Sequence, residues 1–488
     1  MGYTSLTFVQ RCPALAATKF TIGSRSLKSV LEDRVDRPVD LHDRSLRERP
    51  QLSARRVLIL TSSLGSGHVR GGQAIAAALE DKYPEVEVRS IDFWSLMDGT
   101  VADAAKQSYL DLVEGYSHNY QKIFELDGGG IQSVMHRQVN LNPVLAEGFG
   151  KLAERKLERE PSEADAIRST IDRALYRLLR WGFPGRRPDT RWALLARQVA
   201  IFMGQWRIAQ RLRENLNDFR PESIVVTQPL PAALLALLKR RETIDVPVIG
   251  VLTNWGVIEF YAQSAIDYYC VPNGTIPGLK QLEPFSVTGC PLMPGFRMPP
   301  SRGESRMKLG LDPEKPVVVV QGGGLGIHTT ELARTLLGGT DRVQVLVQAG
   351  SNKRALEKLR AMSCEFGERL KVSEWTDEMY LALSAADVVV GKPGGLTLAE
   401  CLACGRPLLA VGSTGGQETM NVKFLEQEGV GWEVTEDEVV EAVISLLQDG
   451  DKLRQIEQRA FSIGERAGAE RVADLVATHQ FDALLHEQ

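Results

Sequence analysis

Short apolar blocks alternate with amphipathic stretches from Arg56 almost to the end of the chain, and this alternation sets the fold class. Blocks such as Val57-Leu58-Ile59-Leu60 and Val317-Val318-Val319-Val320 are apolar at every position. A strand that is apolar on both sides is covered on both faces, as in a parallel sheet flanked by helices. The pattern predicts a first block with strands near 57–61, 86–91, 223–227 and 246–252 and helices near 68–82, 104–124 and 229–241. It predicts a second with strands near 316–321, 343–348, 369–373, 387–391 and 407–411, and helices near 328–337, 352–366, 377–385, 396–404 and 417–428. The class is α/β, with two doubly wound domains. The Pro- and Gly-dense segment 290–303 reads as the linker, giving domains at 55–295 and 296–488 behind a leader of 1–54, with helices closing the second domain. Two such domains leave a cleft between the C-terminal edges of their sheets, where such folds bind ligands.

Composition changes this picture little. The chain is 43% apolar and 25% charged with a net charge of −4, which is ordinary for a globular protein. No apolar run reaches the ~20 residues needed to cross a bilayer. Six scattered cysteines fit a reducing compartment, and Cys401-x-x-Cys404 on a helix reads as two small buried side chains. Residues 1–31 lack Asp and Glu and are rich in Ser and Thr, which suits either an organellar transit peptide or a disordered extension.

An insertion at about 127–213 holds the strongest local charge. Nine arginines between Arg177 and Arg213 face one aspartate, Asp189, with Trp181, Phe183, Trp192, Phe202 and Trp206 interleaved. Arginine mixed with tryptophan suits an anionic lipid surface. The plainer alternative is a helix that packs its rings inward and solvates its arginines. Nucleic acid is the third option.

Four glycine-marked turns carry the candidate chemistry. In Asp387-Val-Val-Val-Gly-Lys-Pro-Gly-Gly-Leu-Thr-Leu-Ala-Glu400, a buried strand meets a helix across a turn without bulk. Bare N–H groups and the positive end of the helix dipole make such a turn an anion site. Glu400, one helical turn in, is placed to accept from a ribose. The bland alternative is an ordinary strand–helix turn. The first strand runs through Gly65-Ser66-Gly67 into His68 at a helix N-terminus. That position disfavours imidazolium, so His68 is expected neutral and able to accept a proton, unless it only caps its own loop. Gly322, Gly323 and Gly324 follow the strand at 316–321 as a second phosphate cradle. No Gly-Lys-Ser/Thr follows, and the next strand ends in Gln348 rather than an acid, which disfavours a P-loop and a nicotinamide site. After the strand at 407–411, Gln417 and Glu418 open another helix and suit sugar hydroxyls, although Glu418 also favours a first turn by charge alone.

Taken together, Gly-Ser-Gly-His68, Lys392-Pro-Gly-Gly-Leu-Thr-x-Ala-Glu400 and Gly416-Gln-Glu-x-x-Asn421 resemble the monogalactosyldiacylglycerol synthase and processive diacylglycerol glucosyltransferase group of glycosyltransferase family 28. The resemblance covers about residues 56–435 and implies the GT-B fold. It implies an inverting UDP-sugar transferase that moves galactose or glucose to a diacylglycerol-type lipid, with no metal and no other cofactor. Gly394, Gly395, Leu396 and Thr397 would hold the diphosphate and Glu400 the ribose. Gln417, Glu418 and Asn421 would hold the sugar, with the uracil near 372–379. His68 would assist deprotonation of the acceptor. The implied setting is cytoplasmic and peripheral on a membrane, with organellar import left open.

The acceptor side departs from the family pattern. Asn254 stands where an Asp is usual, Ile258 where a His is usual, and Gln228 replaces the His of a Thr-His-Pro. An Asn cannot act as a base, and Glu259 is the nearby carboxylate that would substitute. Two alternatives follow: a transferase with a different acceptor, and a UDP-sugar-binding sensor that has lost turnover. GT-B folds also host UDP-N-acetylglucosamine epimerases.

Overall fold

The computed structural model describes residues 52–63, 65–96, 208–240, 244–257, 261–262, 266–413 and 417–481. The helix expected at 104–124, Ile258, Glu259, and the basic segment apart from 208–213 lie outside the described residues, as do residues 1–51 of the leader.

Two six-stranded sheets carry the fold, and every pairing in them is parallel. The front sheet has the order β2-β1-β3-β4-β5-β6. Its strands are β1 (Arg56–Thr61), β2 (Glu87–Asp92), β3 (Ser223–Val226), β4 (Val248–Val251), β5 (Tyr268–Val271) and β6 (Phe285–Val287). Helix α1 (Ser66–Lys82) follows β1, and α2 (Pro229–Arg240) follows β3.

The rear sheet has the order β12-β11-β10-β7-β8-β9. After α3 (Arg302–Leu309) come β7 (Val317–Gln321), α4 (Thr329–Gly339), β8 (Gln344–Gln348), α5 (Lys353–Phe366), β9 (Leu370–Ser373) and α6 (Met379–Ala385). Then follow β10 (Val388–Gly391), α7 (Gly395–Cys404), β11 (Leu408–Ala410), α8 (Gln417–Glu428) and β12 (Gly431–Glu433). Helices α9 (Val439–Gln448), α10 (Gly450–Ile463) and α11 (Gly468–Thr478) come last among the described residues. This is the GT-B arrangement.

Three strands escaped the pattern reading: β5, β6 and β12. They span four, three and three residues. The linker is shorter than expected, because Ser301 and Glu304 form a reciprocal capping box that starts α3 at Arg302.

The rear-domain boundary of 296–488 needs correction. Helix α11 returns to the front domain, where Val472, Ala473 and Val476 pack with Val57, Ile59, Ala74 and Ile75. Ser53 N donates to Ala477 O at 2.8 Å, and Tyr83 Oη donates to Asp474 Oδ1 at 2.7 Å. The β1 face left bare beside α1 is apolar, and burying it is worth roughly 1.5–3 kcal/mol for each large side chain covered. That gain draws the last helix across.

Each sheet reverses its strand order once, at β1/β3 in front and at β7/β10 behind. Side chains on loops at such a reversal splay apart and leave a crevice at the C-terminal strand ends.

Candidate active site

The loops at both reversals open into one cavity. His68, Asn254, Gly323, Gly324, Gly394, Gly395, Leu396, Thr397, Glu400, Gln417 and Glu418 all line it. Asn421 does not. It is fully buried, its Oδ1 accepts from Trp255 N at 3.0 Å, and its Nδ2 donates to Pro393 O at 2.8 Å. One end of the amide joins the domains and the other holds the turn at Pro393 within the rear domain, so the sugar role expected for Asn421 is withdrawn.

His68 lies at the first reversal, in the opening turn of α1. Its Nδ1 sits 2.7 Å from Thr227 O, in the loop after β3, and 3.3 Å from Thr253 Oγ1. A carbonyl only accepts, so Nδ1 carries the proton and Nε2 keeps its lone pair. Thr227 Oγ1 donates back to the main-chain carbonyl of His68 at 2.9 Å, so Thr227 holds both the ring and the backbone of this residue. Burial pulls the imidazole down from 6.5 to about 4, against the backbone bond to Thr227 that raises it. The ring is therefore neutral at physiological pH.

The rear wall is built for an anion. Helix α7 opens with Gly394 as its N-cap; no side chain caps it and its first turn holds no acid. Its positive end is left uncompensated. Gly395 has to be glycine: a Cβ there would lie 2.0 Å from Thr253 O. Gly324 faces Ser66 in the same way, and Gly324 N donates to Ser66 Oγ at 3.1 Å. The two halves thus meet closely around the cavity, backbone to backbone at Gly395 and backbone to side chain at Gly324.

Glu400 is buried, and desolvation raises its carboxyl from 4.5 to about 7 against the opposing charge of Arg70. Arg70 comes from α1 and reaches across the cleft. Its Nη1 donates to Asp377 Oδ1 at 2.5 Å, and its guanidinium lies 5.7 Å from the centre of the Trp375 ring. Trp375, at 47% exposure, offers a flat apolar face in the segment 372–379.

Sequence reading missed several of these wall residues. Arg70 and Lys392 both line the cavity, and Lys392 forms an ion pair with Glu418. Arg70 left one signal: positions 66, 67, 73 and 74 hold no acid to pair with it along its own helix. Gln321 and Gln348 close adjacent strands in register and also line the cavity. The side-chain nitrogens of Asn254 and Gln321 are buried donors with no partner among the described residues. Asn254 stands out in the sequence only as a departure from the family pattern, and nothing in the local sequence marks Gln321.

Comparisons with known proteins match parts of both halves of the chain. Residues 317–479 match the glycosyltransferase family 28 C-terminal domain, and residues 176–278 match monogalactosyldiacylglycerol synthase. The chain is similar to the processive diacylglycerol beta-glucosyltransferase of Bacillus subtilis, 30% identical over 258 residues, which is 51% of this chain and 66% of that protein. It is also similar to the enzyme of that name from Bacillus cytotoxicus, 24% identical over 315 residues, 63% of this chain and 78% of that protein. The match thus spans about two thirds of the length of the Bacillus subtilis relative. Among solved structures, MurG of Acinetobacter baumannii aligns over 86% of this chain and 99% of its own, at 15% identity and a TM-score of 0.49.

Proposed function

The chain belongs to glycosyltransferase family 28, and we propose that it transfers a hexose, galactose or glucose, from a UDP-sugar to a diacylglycerol-type lipid, inverting the anomeric carbon. One observation carries this reading. A neutral histidine with a bare Nε2 and an uncapped helix N-terminus flanked by glycine loops line the same cavity from opposite domains.

The proposed reaction is a single displacement. UDP lies on the rear wall, its diphosphate on the N–H groups of Gly395, Leu396 and Thr397 and beside Gly394, Gly323 and Gly324. The ribose hydroxyls meet Glu400, and the uracil lies by Trp375. Gln417 and Glu418 hold the hexose. The acceptor oxygen attacks the anomeric carbon from the front wall as its proton passes to His68 Nε2. The bond from that carbon to the phosphate oxygen breaks with its electron pair, and UDP leaves. Preorganised N–H donors meet the developing charge, so this reading calls for no metal. The developing negative charge also favours imidazolium, which offsets the low resting basicity of His68.

The names of the Bacillus relatives support diacylglycerol as acceptor. No helix among the described residues is long and apolar enough to cross a membrane. We place the lipid at a membrane surface that the protein touches peripherally, through the basic aromatic segment. Asn254, standing where the family has an acid, favours one second reading, a UDP-sugar-binding sensor without turnover.

The test supplies purified protein with radiolabelled UDP-glucose or UDP-galactose and diacylglycerol vesicles. Labelled glycolipid is expected with one donor. Tight UDP binding without transfer to diacylglycerol or any other lipid would replace this reading by the sensor.

A further inference from the structure

We propose that Lys392 is the cation that receives the leaving diphosphate, and that Glu418 holds it ready until the donor arrives. This rests on the donor site proposed above and adds to it a charged group that the helix N-terminus alone does not supply.

Three observations meet at this residue. The Lys392 backbone is fixed at the mouth of the second reversal: its N donates to Gln321 O at 3.2 Å and its O accepts from Gly394 N at 2.9 Å. Its ammonium pairs with Glu418, with side-chain exposures of 23% and 11%, and both residues line the cavity. The pair lies between the openings of α7 and α8, where no acid compensates the first turn of α7. A half-buried ammonium beside two positive helix ends is poorly placed unless an anion is near. Glu418 is that anion. A diphosphate brings more charge and stronger acceptors, and a charge-assisted bond to phosphate outweighs one shared with a single carboxylate.

When UDP departs, the phosphate oxygen that held the anomeric carbon keeps the bonding pair and gains negative charge. Lys392 Nζ donates to that oxygen. Glu418, released, accepts from the hexose hydroxyls. One ion pair thus links arrival of the donor to formation of the sugar pocket.

A purely structural ion pair would not sense the number of phosphates on the ligand. The experiment therefore measures binding of UDP, UMP and uridine by calorimetry to the full chain, to Lys392→Arg, and to the double variant Lys392→Met/Glu418→Gln. The double variant leaves no buried charge unpaired, so it folds if the single change does not. The proposal expects a loss of ~30-fold or more for UDP in the double variant and ~3-fold or less for UMP and uridine, since a lost charged donor is felt where the charge sits. Turnover with the UDP-hexose is expected to fall ~10²- to 10³-fold, with most of it restored in Lys392→Arg. Equal losses for UDP and UMP, or none, would overturn the role of Lys392 and leave the donor site standing. Absence of uridine nucleotide binding in the unaltered chain would overturn both.

Discussion

The indole of Trp255 donates its Nε1–H to the carbonyl of Gly395 at 2.9 Å. Trp255 follows β4 in the front domain, and Gly395 is the first residue of α7 in the rear one. The same tryptophan stacks obliquely on Phe424, ring centres 4.3 Å apart, and its main chain is held by Asn421. The turn that faces the cavity is therefore positioned by the other domain.

Trp255→Phe keeps a ring against Phe424 and removes the donor. The Gly395 carbonyl then loses this donor at a cost of about 1 kcal/mol. We expect a lower melting temperature and weaker UDP binding together. Gly395→Ala, which forces a methyl towards Thr253 O, should reduce donor binding further. Unchanged UDP affinity in both variants would show that the turn keeps its shape without the front domain.

Glu400 and His68 tilt the pH dependence of stability in opposite directions. The folded state raises the Glu400 carboxyl from 4.5 to about 7, so folding binds a proton in that window and stability falls as pH rises through it. The folded state lowers His68 from 6.5 to about 4, so its contribution is complete above 6.5 and is lost as pH falls towards 4. Glu400→Gln should therefore stabilise the protein near pH 7, by on the order of 3 kcal/mol at most, while weakening donor binding. His68→Asn should stabilise it near pH 4 by a similar amount. Denaturant melts from pH 4 to 8, compared with the unaltered chain, separate the two. UDP affinity should rise with pH up to about 7 and lose that rise in Glu400→Gln.

Arg70 and Asp377 are unequal partners. The Arg70 side chain is 9% exposed and that of Asp377 is 76% exposed. Asp377→Asn removes a solvent-screened charge and should cost less than about 1 kcal/mol. Arg70→Met also removes the cation that counteracts the burial of Glu400. The pH at which UDP binding is half-lost should then move upward in Arg70→Met and stay in place in Asp377→Asn. A shift of the same size in both would contradict this assignment.

Asp387 fastens the start of β10 to the rear domain. It accepts from Arg306 Nη2 at 2.5 Å and from Val317 N at 2.7 Å, with Arg302 Nη1 at 3.3 Å. Asp387→Ala leaves a buried guanidinium and a strand N–H without their acceptor, and is expected to cost about 3–5 kcal/mol. Arg306→Met/Asp387→Leu, which removes both charges, should cost less than the single change. Urea denaturation of the two variants gives the comparison.

The sequence alone determined the layout, because buried parallel strands must be apolar throughout and the turns after them must be small where a backbone or ligand approaches. Val317–Val320, Val388–Val390 and the glycines at 322–324 and 394–395 announced their positions without reference to anything distant. His68 and Glu400 were legible for the same reason, each at a fixed offset from a strand end. The fold decided what depends on pairs far apart in the chain. Asn421 reads locally like a ligand-holding amide, yet Trp255 and Pro393 use both its ends. Arg70 looks like an ordinary helix residue, yet it meets Asp377 across 307 positions of sequence. Helix α11 belongs to the rear half by order and to the front half by packing. A local pattern carries backbone geometry and burial; which side chains meet is fixed when two sheets close on each other.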